Sequence, residues 1–321
     1  MVEKAVILAA GSGTRDRPFT YYLPKTMLPY GEYPLLHHQI ANLCGAGIKE
    51  IVIISRKDDE STTFAQGGGK GIFSVQNDYI EGTLKPEFAG KCTAIKVLYQ
   101  KNDLKLGKPK GPGESVIAAE KEVEGLSYLV IFGDVLIEPI PGTDTNYLKD
   151  ILSKFEGDVL VSTNRVGRDK VTDSRLVIGE YTGQGLVRIK DMVRNPPQEL
   201  FDSYATEDGL YTATLEGGGI QILNKGSMSY LKAALREATD EIHVNDAIEG
   251  QCTDRAGRPV YGFDIDYGKY VYRDFGEVKK WLSHNLEPQN VNGFRKSLGL
   301  LPHDFAELAR EKAKELLGRE F

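Results

Sequence analysis

The apolar run Ala5-Val6-Ile7-Leu8-Ala9-Ala10 ends in Gly11-Ser12-Gly13-Thr14-Arg15, and Pro24-Lys25-Thr26-Met27-Leu28-Pro29 follows after the eight residues Asp16 to Leu23. A buried strand feeding a glycine-rich turn, with cations just behind it, is suited to holding phosphates. Gly11 and Gly13 have no Cβ, so backbone N–H groups of the turn can approach phosphate oxygens closely. Arg15 and Lys25 add positive charge to that cradle. Pro24 fixes φ just ahead of Lys25 and so narrows the directions its ammonium can take. Two better-known phosphate loops are excluded by position. A dinucleotide fingerprint needs a third glycine where Asp16 stands, and a P-loop needs Gly-Lys after four intervening residues, where the chain again has Asp16.

With 321 residues, 40% of them hydrophobic, the chain can bury a large α/β core. A net charge of -6 argues against a nucleic-acid backbone as partner. The three cysteines, Cys44, Cys92 and Cys252, lack metal-ligand spacing. They read as ordinary buried thiols of a protein in the reducing cytoplasm. Charged or Gly-rich residues interrupt every apolar run well short of the ~20 residues a membrane span needs, and no signal peptide is expected.

Short apolar runs alternate with helix-like segments along the chain. Strands are expected at Ala5 to Ala10, Ile51 to Ser55, Ala94 to Gln100, Tyr128 to Phe132, Val159 to Asn164, Arg175 to Glu180, Val187 to Val193 and Gly219 to Leu223. Helices are expected over Pro34 to Ala46 and from Gly113 through Ala119. This rhythm predicts a doubly wound, mostly parallel sheet covered by helices. Glu60 to Gly90 lacks a periodic pattern and reads as a long, partly mobile excursion of the kind that often serves as a lid. The main α/β domain is expected over 1–281 and a helical tail over 282–321. Within the tail, Asp304 to Leu317 is amphipathic and should pack on the core or on a second subunit; a homo-oligomer is expected.

The N-terminal motif, Ala10-Gly11-Ser12-Gly13-Thr14-Arg15 with Pro24-Lys25 and Met27-Leu28-Pro29 at fixed spacing, resembles the signature of sugar-1-phosphate nucleotidyltransferases. Within that group the chain is most similar to the UTP:glucose-1-phosphate uridylyltransferases, and looser similarity extends to about Trp281. The resemblance implies a Rossmann-like fold that condenses an NTP with a sugar 1-phosphate, giving a nucleotide sugar and pyrophosphate. UTP and glucose 1-phosphate are the expected pair, with Mg²⁺ as cofactor.

Such chemistry rests on positioning and electrostatics rather than on a covalent intermediate. Arg15, Lys25 and Asp134 are the expected catalytic residues; Ala10, Gly11, Gly13, Thr14, Gln100 and Gly111 are expected to hold the nucleotide. Asp134 ends the run Tyr128-Leu129-Val130-Ile131-Phe132-Gly133, and ligands collect beyond the carboxyl ends of strands in an open parallel sheet. With Asp274, at the end of Tyr270-Val271-Tyr272-Arg273, it would hold Mg²⁺ through hard oxygen ligands; Asp264 and Asp266 rank below Asp274. A side-chain amide such as Gln100 can pair with the edge of uracil or thymine.

The acceptor half departs from the family pattern. Family members carry a Glu-Lys-Pro turn that holds the sugar phosphate, and this chain has Met192-Val193-Arg194-Asn195-Pro196-Pro197. Arg194 can still fork onto a phosphate, with Lys190 as a substitute. Asp173-Ser174-Arg175 stands where a glycine commonly faces the sugar, whereas Gly217-Gly218-Gly219 keeps an open backbone there. These departures leave two alternatives: the same chemistry on dTTP or another NTP with an atypical sugar or non-sugar phosphate, or a weakly catalytic regulatory homologue that binds nucleotide sugars.

Overall fold

The computed structural model describes residues 1–319 apart from 12, 59–70, 101–109, 172–174, 207, 216–217, 239–240 and 255–257. Its principal strands are β1 Lys4–Leu8, β2 Glu50–Ser55, β3 Ala94–Tyr99, β4 Tyr128–Phe132, β5 Val135–Pro139, β6 Val159–Val166, β7 Arg175–Gly183, β8 Leu186–Arg194, β9 Tyr211–Thr214, β10 Ile220–Leu223, β11 Val260–Asp264 and β12 Tyr270–Asp274. The principal helices are α1 Leu35–Gly45, α2 Ile72–Tyr79, α3 Pro112–Ala118, α4 Tyr147–Ser153, α5 Ser227–Glu237, α6 Val244–Thr253, α7 Val278–Asn285, α8 Val291–Leu298 and α9 His303–Leu317.

Ten strands form one sheet in the order β9-β7-β8-β11-β6-β10-β4-β1-β2-β3. The half made of β4, β1, β2 and β3 is entirely parallel. Farther along, β8, β9 and β10 run against the rest. The sheet is therefore mixed, with seven strands sharing one direction. β1, β2 and β4 are near-continuous apolar runs because both of their faces are covered, whereas β3, at the sheet edge, carries Lys96 and is partly exposed. Ala5 and Ile7 point to the face packed by α1 and the C-terminal helices, while Val6 and Leu8 point to the face packed by α3, α5 and α6.

The 281/282 boundary falls inside α7, and the last helices are a layer of the main core. Trp281 and Phe305 are fully buried and meet Phe19 edge-on, with ring centroids 4.9 and 5.3 Å away. Trp281 Nε1 donates to the Pro29 carbonyl at 2.7 Å. The Gly31 N–H donates to Asn285 Oδ1 at 2.8 Å. The tail thus grips the segment that leaves the Lys25 loop. Arg273, also buried, ties β12 to the same region through Glu138 and a bidentate pair with Glu287 at 2.5 and 2.7 Å.

Two expectations are corrected. The described part of the Glu60 to Gly90 excursion is helical: α2, a π turn at Ile80–Leu84 and a short helix at Lys85–Phe88 follow one another. Ile72, Gln76, Ile80, Leu84 and Phe88 recur every four residues and are all buried. The sequence hides this pattern because one of those five inward positions is polar; residues 59–70 lie outside the described residues. Cys44 and Cys92 are not separate thiols but a disulfide, with Cα atoms 5.6 Å apart, joining the end of α1 to the turn before β3. A separation of 48 residues gives no sign of this contact, and the cysteine count no longer argues for a reducing compartment. Cys252 remains a half-buried thiol, pushed up to about 12 by burial.

Because Trp281 is fully buried among Phe19, Phe294 and Phe305, Trp281→Ala should lower unfolding free energy by about 3–5 kcal/mol. Urea denaturation followed by circular dichroism checks it; an unchanged midpoint would show that the C-terminal layer does not stabilise the sheet.

Candidate active site

A cleft of about 330 Å³ opens at the carboxyl ends of β4, β1, β2 and β3. Its position follows from the sheet register. Phe132, Leu8, Ile54 and Leu98 lie side by side across the four strands. Two residues further along each chain stand Asp134, Ala10, Arg56 and Gln100, and all four line the cleft. Adjacent strands are about 4.8 Å apart, so these four positions span roughly 14 Å. Four segments distant in sequence are thereby delivered to one edge.

The turn after β1 contributes Ala10, Gly11, Gly13, Thr14 and Arg15. Gly11 meets no atom within 4 Å of an added Cβ, so its backbone faces open cleft. Gly13 adopts φ +58, and a Cβ there would lie 2.7 Å from Thr20 Cγ2. Thr20 Oγ1 donates to the Gly13 carbonyl at 2.7 Å, which holds the turn in this shape.

Lys25 is the electrostatic centre. Its ammonium lies 2.9 Å from Asp16 Oδ2 and 3.1 Å from Asp134 Oδ2. Burial acts against the charged lysine, but Asp134 and Asp16 outweigh it and raise its pKa. Asp16 is fully buried, and burial raises its pKa despite the opposing pull of Lys25. Its Oδ1 makes no hydrogen bond among the described residues. Asp16 therefore acts as a fixed counter-charge beneath Lys25.

Asp134 is held by its neighbours. Gln39 on α1 donates from Nε2 to the carbonyls of Phe132 at 2.8 Å and Val135 at 2.9 Å, clamping both sides of Gly133-Asp134. The Phe275 N–H donates to the Asp134 carbonyl at 2.9 Å, so residue 275 is drawn to the same turn. Asp274 precedes it and pairs in register with Val135 across the β5–β12 ribbon. Its Oδ1 accepts the Gly276 N–H at 2.8 Å and its Oδ2 accepts the Lys280 ammonium at 2.7 Å. Asp274 stands beside the Asp134 turn, outside the cleft lining.

At the other end, Gln100 is buried and its amide is engaged within the protein. Ser115 Oγ donates to its Oε1 at 2.7 Å, while Nε2 donates to the Gly111 carbonyl at 3.2 Å and to Glu114 Oε2 at 3.1 Å. Gln100 thus shapes the wall formed by Gly111, Pro112 and Ser115. The intervening basic stretch, 101–109, lies outside the described residues.

The acceptor candidates are more scattered. Gly218 presses on the Phe132 ring, where a Cβ would lie 2.4 Å from ring carbons, and Gly219 leads from it into β10 beside β4. Arg194 ends β8, exposed, and its charge lowers the pKa of His243 together with burial, the larger cause. Lys190 is exposed and paired with Glu180. Arg175 is buried and ion-paired with Asp246 and Glu249 of α6. It serves the packing of that helix, and 173–174 lie outside the described residues. Asp264 accepts the Tyr181 hydroxyl at 2.6 Å, and Asp266 caps a turn at Gly268. Neither reaches the cleft lining.

The sequence reading missed Thr26, Arg56, Ser115 and Glu241, which line the cleft, and Gln39 and Gln76, which brace it. Arg56 carried a usable signal, because a charged residue just past a parallel strand lies where ligands collect. Gln39 and Gln76 carried none, since each interrupts an apolar helix face like any surface residue.

The chain is similar to known proteins in both sequence and fold. Residues 4–151 match the family model for nucleotidyl transferases. That segment supplies every cleft residue except Glu241. Over nearly its whole length the chain is similar to the UTP–glucose-1-phosphate uridylyltransferase of Staphylococcus haemolyticus, 26% identical over 306 residues, covering 93% of this chain and 99% of the relative. Its fold matches a UDP-glucose pyrophosphorylase solved with UDP-glucose at TM-score 0.67, with 22% identity, 88% of this chain and 97% of that one covered. A UTP-bound UGPase from Acinetobacter baumannii matches at TM-score 0.64, with 20% identity, covering 94% and 100%.

Gly133 is where the cleft floor is tightest. A Cβ there would lie 2.5 Å from Thr26 Cγ2 and 2.6 Å from the Leu8 carbonyl oxygen. Gly133→Ala should therefore cost about 1–3 kcal/mol of stability and separate Asp134 from Lys25. Chemical denaturation with nucleotide-binding calorimetry measures both, and wild-type values in each would mean that the turn is not tightly packed.

Proposed function

We propose that this protein transfers the uridylyl group of UTP to glucose 1-phosphate, releasing pyrophosphate and forming UDP-glucose. One observation carries the reading: the Lys25 ammonium is held between two carboxylates at the mouth of a glycine-rich turn, in line with the wall at Gln100 and Gly111. The triphosphate would lie along Gly11 to Arg15, and the base toward Gln100 and Gly111. The uridylyltransferase relative supports the choice of UTP and glucose 1-phosphate.

In this reaction an oxygen of the sugar phosphate attacks the α-phosphorus. The bond from that phosphorus to the bridging oxygen of the β-phosphate breaks, and its electron pair leaves with pyrophosphate. The attacking oxygen is already ionised near neutral pH, so the protein need supply no general base. Arg15 and Lys25 hold the triphosphate and offset negative charge as it builds on the α-phosphoryl oxygens and the leaving group. Asp16 keeps Lys25 charged and aimed.

We further propose Asp134 and Asp274 as holders of Mg²⁺. The donor set suits it: both offer hard oxygens, both belong to segments joined by the Phe275 to Asp134 hydrogen bond, and each already accepts an ammonium. When bound, the ion supplies charge neutralisation at the phosphates. On the acceptor side, Arg194 would receive the sugar phosphate through its guanidinium fork. A different phosphate acceptor is the second reading, favoured by Arg194 and by Asn195, at φ +52, which stand where the family motif has Glu and Lys.

Lys25→Ala should slow turnover of UTP and glucose 1-phosphate about 10² to 10³-fold, measured as pyrophosphate release. Turnover at the wild-type rate would remove Lys25 from the chemistry. Asp134→Asn should lose activity and its dependence on Mg²⁺ together; strong activity with an unchanged Mg²⁺ optimum would place the ion elsewhere.

A further inference from the structure

We infer that Thr26 and Gln76 form a buried relay that sets the position of Lys25, so that α2, remote from the chemistry in sequence, is part of the catalytic geometry. This rests on the reading of Lys25 given above. Thr26 follows Lys25 directly and is wedged between two elements. Its Oγ1 donates to Gln76 Oε1, and its Cγ2 lies where a Cβ on Gly133 would come within 2.5 Å. One β-branched side chain thereby touches the turn bearing Asp134 with its methyl and α2 with its hydroxyl.

Gln76 completes the connection. It is fully buried, and its Nε2 donates to Ser55 Oγ at 2.9 Å and to the Ala9 carbonyl at 3.3 Å. Ser55 Oγ in turn donates to Asn77 Oδ1 at 2.9 Å. One amide therefore joins the lysine loop, the residue before the phosphate turn and the end of β2. Two short turns shape the Lys25 loop locally, closed by Met27 N–H to Pro24 and Leu28 N–H to Lys25 at 2.8 and 3.1 Å. The C-terminal helices hold the far end of this loop at the Pro29 carbonyl, and Thr26 holds it directly beside Lys25. Thr26 and Gln76 are positioning residues, acting through Lys25.

The test is a kinetic cycle on the full-length protein, with UTP and glucose 1-phosphate as substrates. Thr26→Val keeps the methyl and removes the hydroxyl, so kcat should fall about 10-fold or more while KM for UTP changes little, on the scale expected for a small misplacement. Thr26→Ser, which restores the donor, should recover most of the loss. In a Lys25→Ala background Thr26→Val should cost nothing further. A merely structural role would not produce that non-additivity. Gln76→Leu, which removes the acceptor instead, runs the same cycle if Thr26→Val does not fold. Equal losses in both backgrounds, or an unchanged kcat in Thr26→Val, would overturn the inference alone. A Lys25→Ala protein as active as wild type would overturn the functional reading and the relay with it.

Discussion

The structure of this site depends on one ammonium shared by two carboxylates. Lys25 lies within 3.1 Å of both Asp16 and Asp134, and each partner comes from a different segment. Asp16 belongs to the turn after β1 and Asp134 to the turn after β4. Neither segment could present a buried or half-buried carboxylate here without a cation to offset it. The pair thus ties the phosphate turn to the second turn, and the lysine loop stands between them. Pulling an ammonium away from this position leaves a buried charge, which gives the site one favoured arrangement before any substrate arrives.

Around that centre the fold supplies rigid support from the helices on one face of the sheet. Gln39 comes from α1 and Gln76 from α2, and each uses its amide to hold backbone or side-chain groups at the strand ends. The C-terminal helices reach the same region from below, where Trp281 and Asn285 both bond the Pro29 carbonyl just past the lysine loop. The C-terminal tail thus fixes where the Lys25 segment ends. Among the described residues no helix is long and apolar enough to cross a membrane.

The parallel half of the sheet was legible because β1, β2 and β4 are apolar runs, and the motif from Ala10 to Pro29 announced the glycine-rich turn. Asp134 was legible for the same reason, since a carboxylate closing such a run falls at the ligand edge. Of the antiparallel strands, β8 and β10 were legible as strands, at Val187 to Val193 and Gly219 to Leu223, while the short β9 was not; their reversed direction left no mark, because it is fixed only by long-range pairing. α2 and the π turn were hidden by Gln76, a polar residue on an inward face whose purpose appears only once Ala9, Ser55 and Thr26 surround it. The disulfide between Cys44 and Cys92 was hidden by distance along the chain. Gln100 was found, but its amide turned out to be bonded to Ser115, Gly111 and Glu114, a detail that only packing reveals.

The acceptor half is the less regular part of the site. Arg175 is committed to Asp246 and Glu249, and Lys190 to Glu180, so Arg194 is the cation that the functional reading assigns to the acceptor phosphate. The most direct measurement is pyrophosphate release with Mg²⁺ across UTP, dTTP, CTP, GTP and ATP, each against a panel of sugar 1-phosphates. The account predicts release that requires UTP and glucose 1-phosphate together and is absent with either alone. Release confined to another pair would contradict the substrate assignment, and silence across the whole grid with nucleotide still bound would contradict the catalytic one.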